Sequence, residues 1–142
     1  MVTPVVLAPD YKPSADEEYM NETQLEYFRQ KLVNWKKSLV SQSVDTLDDL
    51  RQGGLNQPDE IDRASLETDK SLDLRTKDRI RKLITKIDEA LDRIEDGTYG
   101  FCEETGEPIG LERLEARPVA TLSIEAQERH ERMEKTFDDN DA

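Results

Sequence analysis

Apolar residues recur at alternating spacings of three and four along two long stretches of the chain, with a glycine pair between them. In the first stretch Leu25, Phe28, Leu32, Trp35 and Leu39 form the seam of a two-helix coiled coil, and Leu47 and Leu50 continue it less strictly. The second seam is Ile80, Ile84, Ile87, Leu91 and Ile94. Helix signals frame both stretches. Asn21 is a natural N-cap with Gln24 three residues later, and Met20 and Leu25 are placed for a hydrophobic staple. Gly53-Gly54 predicts the end of the first helix, with Leu55 to Pro58 completing a turn. A second helix is expected from about Asp59 to Asp96, stopping at Gly97. Because both strong seams lie far from the glycine pair, the pattern predicts an antiparallel hairpin, firm at its base and polar toward its tip. Some thirty residues per arm would reach roughly 45 Å.

Outside the hairpin the pattern breaks down. Residues 1–18 hold three of the six prolines and no periodicity, which predicts an extended arm. After Gly97 a compact knuckle is expected, then a last helix from about Ile124 to Phe137 and a frayed acidic tail, DDNDA. The expected fold is all-α, organised as an arm (1–20), a coiled-coil hairpin (21–96, tip about 53–64) and a knuckle with its C-terminal helix and tail (97–142). Composition agrees: 35% hydrophobic and 37% charged residues suit exposed helices that bury narrow stripes. A net charge of −13 argues against a general DNA or RNA binder, which would need a surplus of lysine and arginine, and no direct sequence-specific DNA binding is expected. A protein partner with basic surfaces fits better. The N-terminus has no basic n-region, and no stretch approaches the roughly 20 apolar residues of a membrane span. The expectation is a cytoplasmic monomer, away from membranes.

The knuckle carries a pattern of missing ligands. Read from Cys102, it is C-x2-T-x17-S-x2-A, so that Cys102, Thr105, Ser123 and Ala126 stand where a structural zinc ribbon would place four thiolates. Zinc takes thiolate, imidazole or carboxylate donors. Alanine has none and neutral hydroxyls are poor ones, so no metal is expected. Apolar Tyr99, Phe101, Ile109, Leu111, Leu114, Leu122 and Ile124 are numerous enough to replace it by packing. Ser123 also suits the N-cap of the last helix. Cys102 excludes an internal disulfide; as a redox sensor it would need a lowered pKa and a resolving partner, and a small, partly buried role is the simpler reading. His130 reads as surface. Cys102 and His130 are too few to suggest a nucleophile–base pair, and no phosphate-cradling glycine loop occurs, so an enzyme is not expected.

Two charged constellations remain. Asp59 and Asp62 follow the turn, where they can cap helix 2 and complement its dipole, or be carried by the arms to a remote site. Between Arg75 and Lys86 six basic residues face one acid, Asp78, a local charge of +5 (6 − 1) in an acidic chain. Arg75, Arg79, Lys82 and Lys86 fall within about 60° on one helix face, roughly 120° from the isoleucine seam. The stripe is either a solvated face balanced by acids of helix 1, or a surface that concentrates an anion.

The stretch YGFCEETGEPIGLERLEARP, with EEYMNETQLEYFR, PDEIDRAS and RKLITKID upstream in the same order, resembles the DksA/TraR family of bacterial RNA-polymerase-binding regulators from about Glu17 to Arg132. The resemblance implies a coiled-coil tip, D-x-x-D-x-A, matched by Asp59, Asp62 and Ala64, that enters the secondary channel of RNA polymerase and modulates initiation. It implies a site for guanosine tetraphosphate (ppGpp), the stringent-response nucleotide, matched by Arg79, Leu83, Lys86 and Arg117 and completed against the polymerase rim. The lysine that often follows the family's fourth cysteine is Gln127 here, which removes one phosphate-facing charge. Two alternatives stay open: a Gre-like cleavage factor whose tip acids hold a metal ion, and a coiled-coil adaptor that does not bind polymerase.

Overall fold

The computed structural model describes residues 5–55 and 60–141, with side chains over 5–44 and 67–136. The fold is all-α: α1 (Glu22–Leu55), α2 (Glu60–Asp96), α3 (Leu111–Ala116) and α4 (Ile124–Asp141). Among the described residues no strand occurs, only an isolated antiparallel bridge between Phe101 and Pro108. The chain divides into two compact units, Met1–Leu32 with Ala90–Ala142, and Val33–Glu89.

The start of α1 follows from its cap. The Gln24 amide N–H donates to Asn21 Oδ1 at 2.8 Å, and Gln24 Oε1 reaches back to the Met20 N–H at 2.8 Å, one residue before the N-cap. Gln24 Nε2 also donates to the Ser14 carbonyl at 3.3 Å, which explains a fully buried polar side chain. The Met20 side chain lies over Gly100, where a Cβ would stand 2.8 Å from its Cγ and Sδ. Gly97 ends α2 in the left-handed region (φ 83°), and the Thr98 N–H returns to the Arg93 carbonyl at 2.9 Å, the closure of a Schellman motif.

Two expected boundaries move. α1 runs through Gly53-Gly54 to Leu55. Each glycine weakens a helix by about 1 kcal/mol relative to alanine but keeps its N–H donor, so the pair does not stop the helix. The rest of the expected turn, 56–58, lies outside the described residues. α4 passes Phe137 and continues to Asp141, since neither glycine nor proline interrupts it, so the acidic tail is helical as far as it is described.

In the unit Val33–Glu89, Lys36 near the beginning of the α1 portion bonds Asp88 near the end of the α2 portion at 2.7 Å, which sets the two helices antiparallel. Leu39, Ile80 and Ile87 are buried between them, with Trp35, Leu83 and Ile84 half-buried. The Leu47 and Leu50 side chains lie outside the described residues.

The other unit has a mixed core. Phe28 and Leu32 of α1 and Ala90 of α2 are buried with Tyr99, Cys102, Ile109, Leu114, Val119, Ala120 and Ala126. Of the residues expected to replace the metal, Tyr99, Ile109 and Leu114 are buried and Leu111 and Leu122 half-buried. Phe101 and Ile124 are instead exposed, and Val119 and Ala120 take their place in the core. Phe101 meets the Tyr19 ring edge-on, centroids 5.6 Å apart. The segment before α1 is not simply extended: Tyr11 N–H closes a turn onto the Ala8 carbonyl, the Tyr11 hydroxyl bonds Glu17 at 3.0 Å, and its ring meets Tyr27 at 6.0 Å.

Candidate functional site

The knuckle is built around Cys102, whose side chain is buried. Its N–H donates to the Glu107 carbonyl and its own carbonyl accepts from Gly106 N–H, both at 2.8 Å, closing a tight loop. Tyr19 pins that loop from α1's side: its hydroxyl donates to the Gly100 carbonyl at 2.6 Å and accepts from the Gly110 N–H at 2.9 Å. Ser123 caps α4, its Oγ accepting from the Ala126 N–H at 3.2 Å, and Ala126 itself is fully buried. His130, exposed, reaches across from α4 to Glu104 at 2.6 Å, a pairing the sequence did not signal.

Burial, the largest influence on the Cys102 thiol, disfavours its charge. Hydrogen bonds from the Thr105 hydroxyl and from the backbone N–H groups of Ser123, Thr105 and Glu104 together outweigh it and bring the pKa from 9.0 to about 6. The expectation of a small, partly buried residue holds for its packing, and the same hydrogen bonds favour the thiolate form of its sulfur. The consequence for stability has a definite sign. A pKa depressed on folding adds stability above the unfolded value near 9, and that stability is lost as pH falls through the window down to about 6. In thermal melts between pH 6 and 9, the stability difference between wild type and Cys102→Ala should widen as pH rises. A difference independent of pH would show the thiol to be neutral throughout.

Zinc does not fit this donor set. Cys102 supplies one thiolate, Thr105 and Ser123 offer neutral hydroxyls already engaged as a thiol donor and a helix cap, and Ala126 offers a methyl group. Among the described residues no group of three metal-binding side chains converges.

The basic stripe lies in the unit Val33–Glu89. Arg75, Arg79, Lys82 and Lys86 are all exposed on α2, while Ile80 and Ile87 are buried. Asp78 engages Arg81 at 2.6 Å and Lys82 at 3.1 Å. Among the described residues Arg75, Lys77, Arg79 and Lys86 have no carboxylate within ion-pairing distance; the side chains of Asp45, Asp48 and Asp49, the acids of α1 nearest the glycine pair, lie outside the described residues. Leu83, half-buried, sits between the stripe and the seam. Arg117 belongs to the other unit, at the C-cap of α3, with its side chain exposed. Gln127 is half-buried on α4 and donates to Glu131 at 3.2 Å. Of the tip residues, Asp59 lies outside the described residues. Asp62 and Ala64 lie in the first turns of α2, with side chains outside the described set. No described helix is long and apolar enough to cross a membrane.

Two family models match the chain: the N-terminal domain of the DnaK suppressor protein DksA over residues 24–94, and the prokaryotic dksA/traR C4-type zinc finger over residues 97–132. The chain is 59% identical to the RNA polymerase-binding transcription factor DksA of Caulobacter vibrioides over 138 residues, 97% of each protein. It is 44% identical to the factor of the same name from Escherichia coli K12, covering 88% of this chain and 83% of that protein. The solved structure of transcription factor DksA2 from Pseudomonas aeruginosa superposes with a TM-score of 0.78 at 45% identity, covering 87% of this chain and 94% of that one. With nearly all of α1 and α2 and the ligand-poor knuckle inside the matched spans, the chain belongs to the DksA/TraR family.

Proposed function

We propose that this protein is a transcription factor that binds RNA polymerase directly and modulates initiation from the secondary channel, without chemistry of its own. The observation that carries this reading is the 59% identity, over 97% of both chains, to a protein named for binding RNA polymerase. The antiparallel helix pair supports it, because such a pair can deliver Asp59 and Asp62 to a recessed site. The co-regulator is guanosine tetraphosphate, recognised through Arg79, Leu83 and Lys86 of the stripe and through Arg117. Support for this part is the set of exposed cations left without carboxylate partners among the described residues, in a chain of net charge −13.

Transcription in vitro from a ribosomal RNA promoter, with and without protein and nucleotide, tests both parts. The protein alone should change promoter output, and nucleotide should deepen the change. Lys86→Ala should weaken the nucleotide-dependent part by about tenfold or more, as expected when one charge-assisted phosphate contact of about 1.5–3 kcal/mol is removed. Gln127→Lys should strengthen it or leave it unchanged. An unaltered nucleotide response from Lys86→Ala together with Arg117→Ala would refute the assignment. A transcript-cleavage assay on backtracked polymerase should be negative; cleavage would identify a Gre-like factor instead. Failure to co-purify with polymerase would leave a coiled-coil adaptor.

A further inference from the structure

Arg117 presents an unusual combination of a fixed backbone and a free side chain. Its N–H donates to the Arg113 carbonyl at 2.7 Å and its carbonyl accepts from the Ala120 N–H at 3.1 Å. The next residue is held by Tyr99, whose buried hydroxyl donates to the Pro118 carbonyl at 2.7 Å. Two residues before Arg117, Glu115 is clamped from α1. The Tyr27 hydroxyl donates to Glu115 Oε1 at 2.5 Å, and Lys31 Nζ bonds both the Glu115 carbonyl oxygen at 2.9 Å and Oε1 at 3.0 Å. The Arg117 guanidinium has no carboxylate partner among the described residues, although Glu115 is its near neighbour in sequence.

We infer that Tyr27 and Lys31 are positioning residues for nucleotide sensing: by seating Glu115, they fix the Glu115–Pro118 segment and keep that carboxylate from neutralising Arg117. The inference rests on the proposed role of Arg117 as a nucleotide contact. Physical logic favours such a device. An arginine that binds phosphate must be free of a competing acid, and one whose backbone is already ordered loses less entropy on binding. Partial burial opposes the charge on Glu115, but the hydrogen bonds from Tyr27 and Lys31, aided by the charges of Lys31 and Lys12, hold its carboxyl below the ordinary range. The clamp therefore holds an ionised carboxylate, the state that would otherwise compete for Arg117. The same cluster meets the N-terminal segment through the Tyr11–Tyr27 ring contact, so the device is assembled from α1, α3 and the residues preceding α1.

The test uses the full chain with RNA polymerase, titrating guanosine tetraphosphate on a ribosomal RNA promoter with wild type, Tyr27→Phe/Lys31→Met, the same double variant carrying Glu115→Gln, Lys31→Arg and Arg117→Ala. The double variant should need about three- to tenfold more nucleotide for half-maximal effect, the size expected when the net contribution of a typical intramolecular hydrogen bond is lost. Its effect without nucleotide should be unchanged, and circular dichroism should show wild-type helicity at the assay temperature. Adding Glu115→Gln should recover part of the loss by deleting the competing charge, and Lys31→Arg should titrate close to wild type. A double variant that titrates like wild type while Arg117→Ala is weakened would overturn the clamp and leave the nucleotide role of Arg117 standing. Wild-type titration by Arg117→Ala would overturn the nucleotide role of Arg117 and the clamp with it. An equal loss with and without nucleotide would reduce the cluster to a structural one and overturn the inference.

Discussion

Asp62→Asn should melt like wild type, bind RNA polymerase with near wild-type affinity, and lose most of the effect on promoter output. The three measurements on one variant separate two roles that the sequence leaves superimposed. α2 begins at Glu60, so Asp62 falls in its first turn and position 59 immediately precedes the helix. If the carboxylates serve only that helix end, removing one first-turn charge loses about 0.3–1 kcal/mol of stability. Asn is also about as good an N-cap as Asp. Promoter output would then survive in both Asp59→Asn and Asp62→Asn. A carboxylate that acts inside the polymerase cannot be replaced by an uncharged amide, so function would fail while the fold persists. Binding is expected to survive because, in the proposed complex, residues outside the tip would supply much of the contact area. Wild-type output from both variants would return Asp59 and Asp62 to capping alone.

What could be read from the sequence was what depends on neighbours along the chain. The Asn21–Gln24 cap and the Gly97 stop are local chemistry, and both stand where the pattern puts them. The seams were legible because burial on a helix repeats: Phe28, Leu32, Leu39, Ile80 and Ile87 are all buried. The pattern overreached at Gly53-Gly54, where a preference against helix was taken for a prohibition. It also misassigned the knuckle, burying Phe101 and Ile124 in place of Val119 and Ala120, because irregular chain has no period to reveal which face turns inward. Gln24 is buried against the usual rule for amides, and only its bonds to Met20 and Ser14 explain why. The Tyr27–Glu115 and Lys31–Glu115 bonds span 88 and 84 residues, a distance at which local sequence carries no signal. The amide cradle of Cys102 was equally hidden, since it depends on the direction of three backbone N–H groups.

That cradle predicts the second large effect: Thr105→Cys/Ser123→Cys/Ala126→Cys should convert the knuckle into a zinc site. The Thr105 hydroxyl and the Ser123 backbone N–H already hydrogen-bond the Cys102 sulfur, so these two positions converge on it. Ala126 lies fully buried one turn into α4, beside the Ser123 cap. N–H groups aimed at a sulfur stabilise its negative charge whether or not a metal shares it, so the same amides would support a thiolate ligand. Without metal the triple variant should be less stable than wild type. Losing the Ser123 cap costs about 0.5–2 kcal/mol, and an extra sulfur in a filled core costs about 1–3 kcal/mol. With metal the balance reverses, since structural zinc binding in finger peptides reaches about 10–16 kcal/mol and is expressed as folding free energy. The purified triple variant should hold one zinc per chain and melt well below the zinc-loaded form once a chelator removes the ion. Wild type should contain no stoichiometric zinc, and a chelator should leave its helicity and melting temperature unchanged, as expected if the buried packing of Tyr99, Leu114, Val119 and Ala126 replaces the ion. One zinc per wild-type chain would overturn the donor argument at Thr105, Ser123 and Ala126. A triple variant that folds yet binds no zinc would show that the four positions do not converge tetrahedrally.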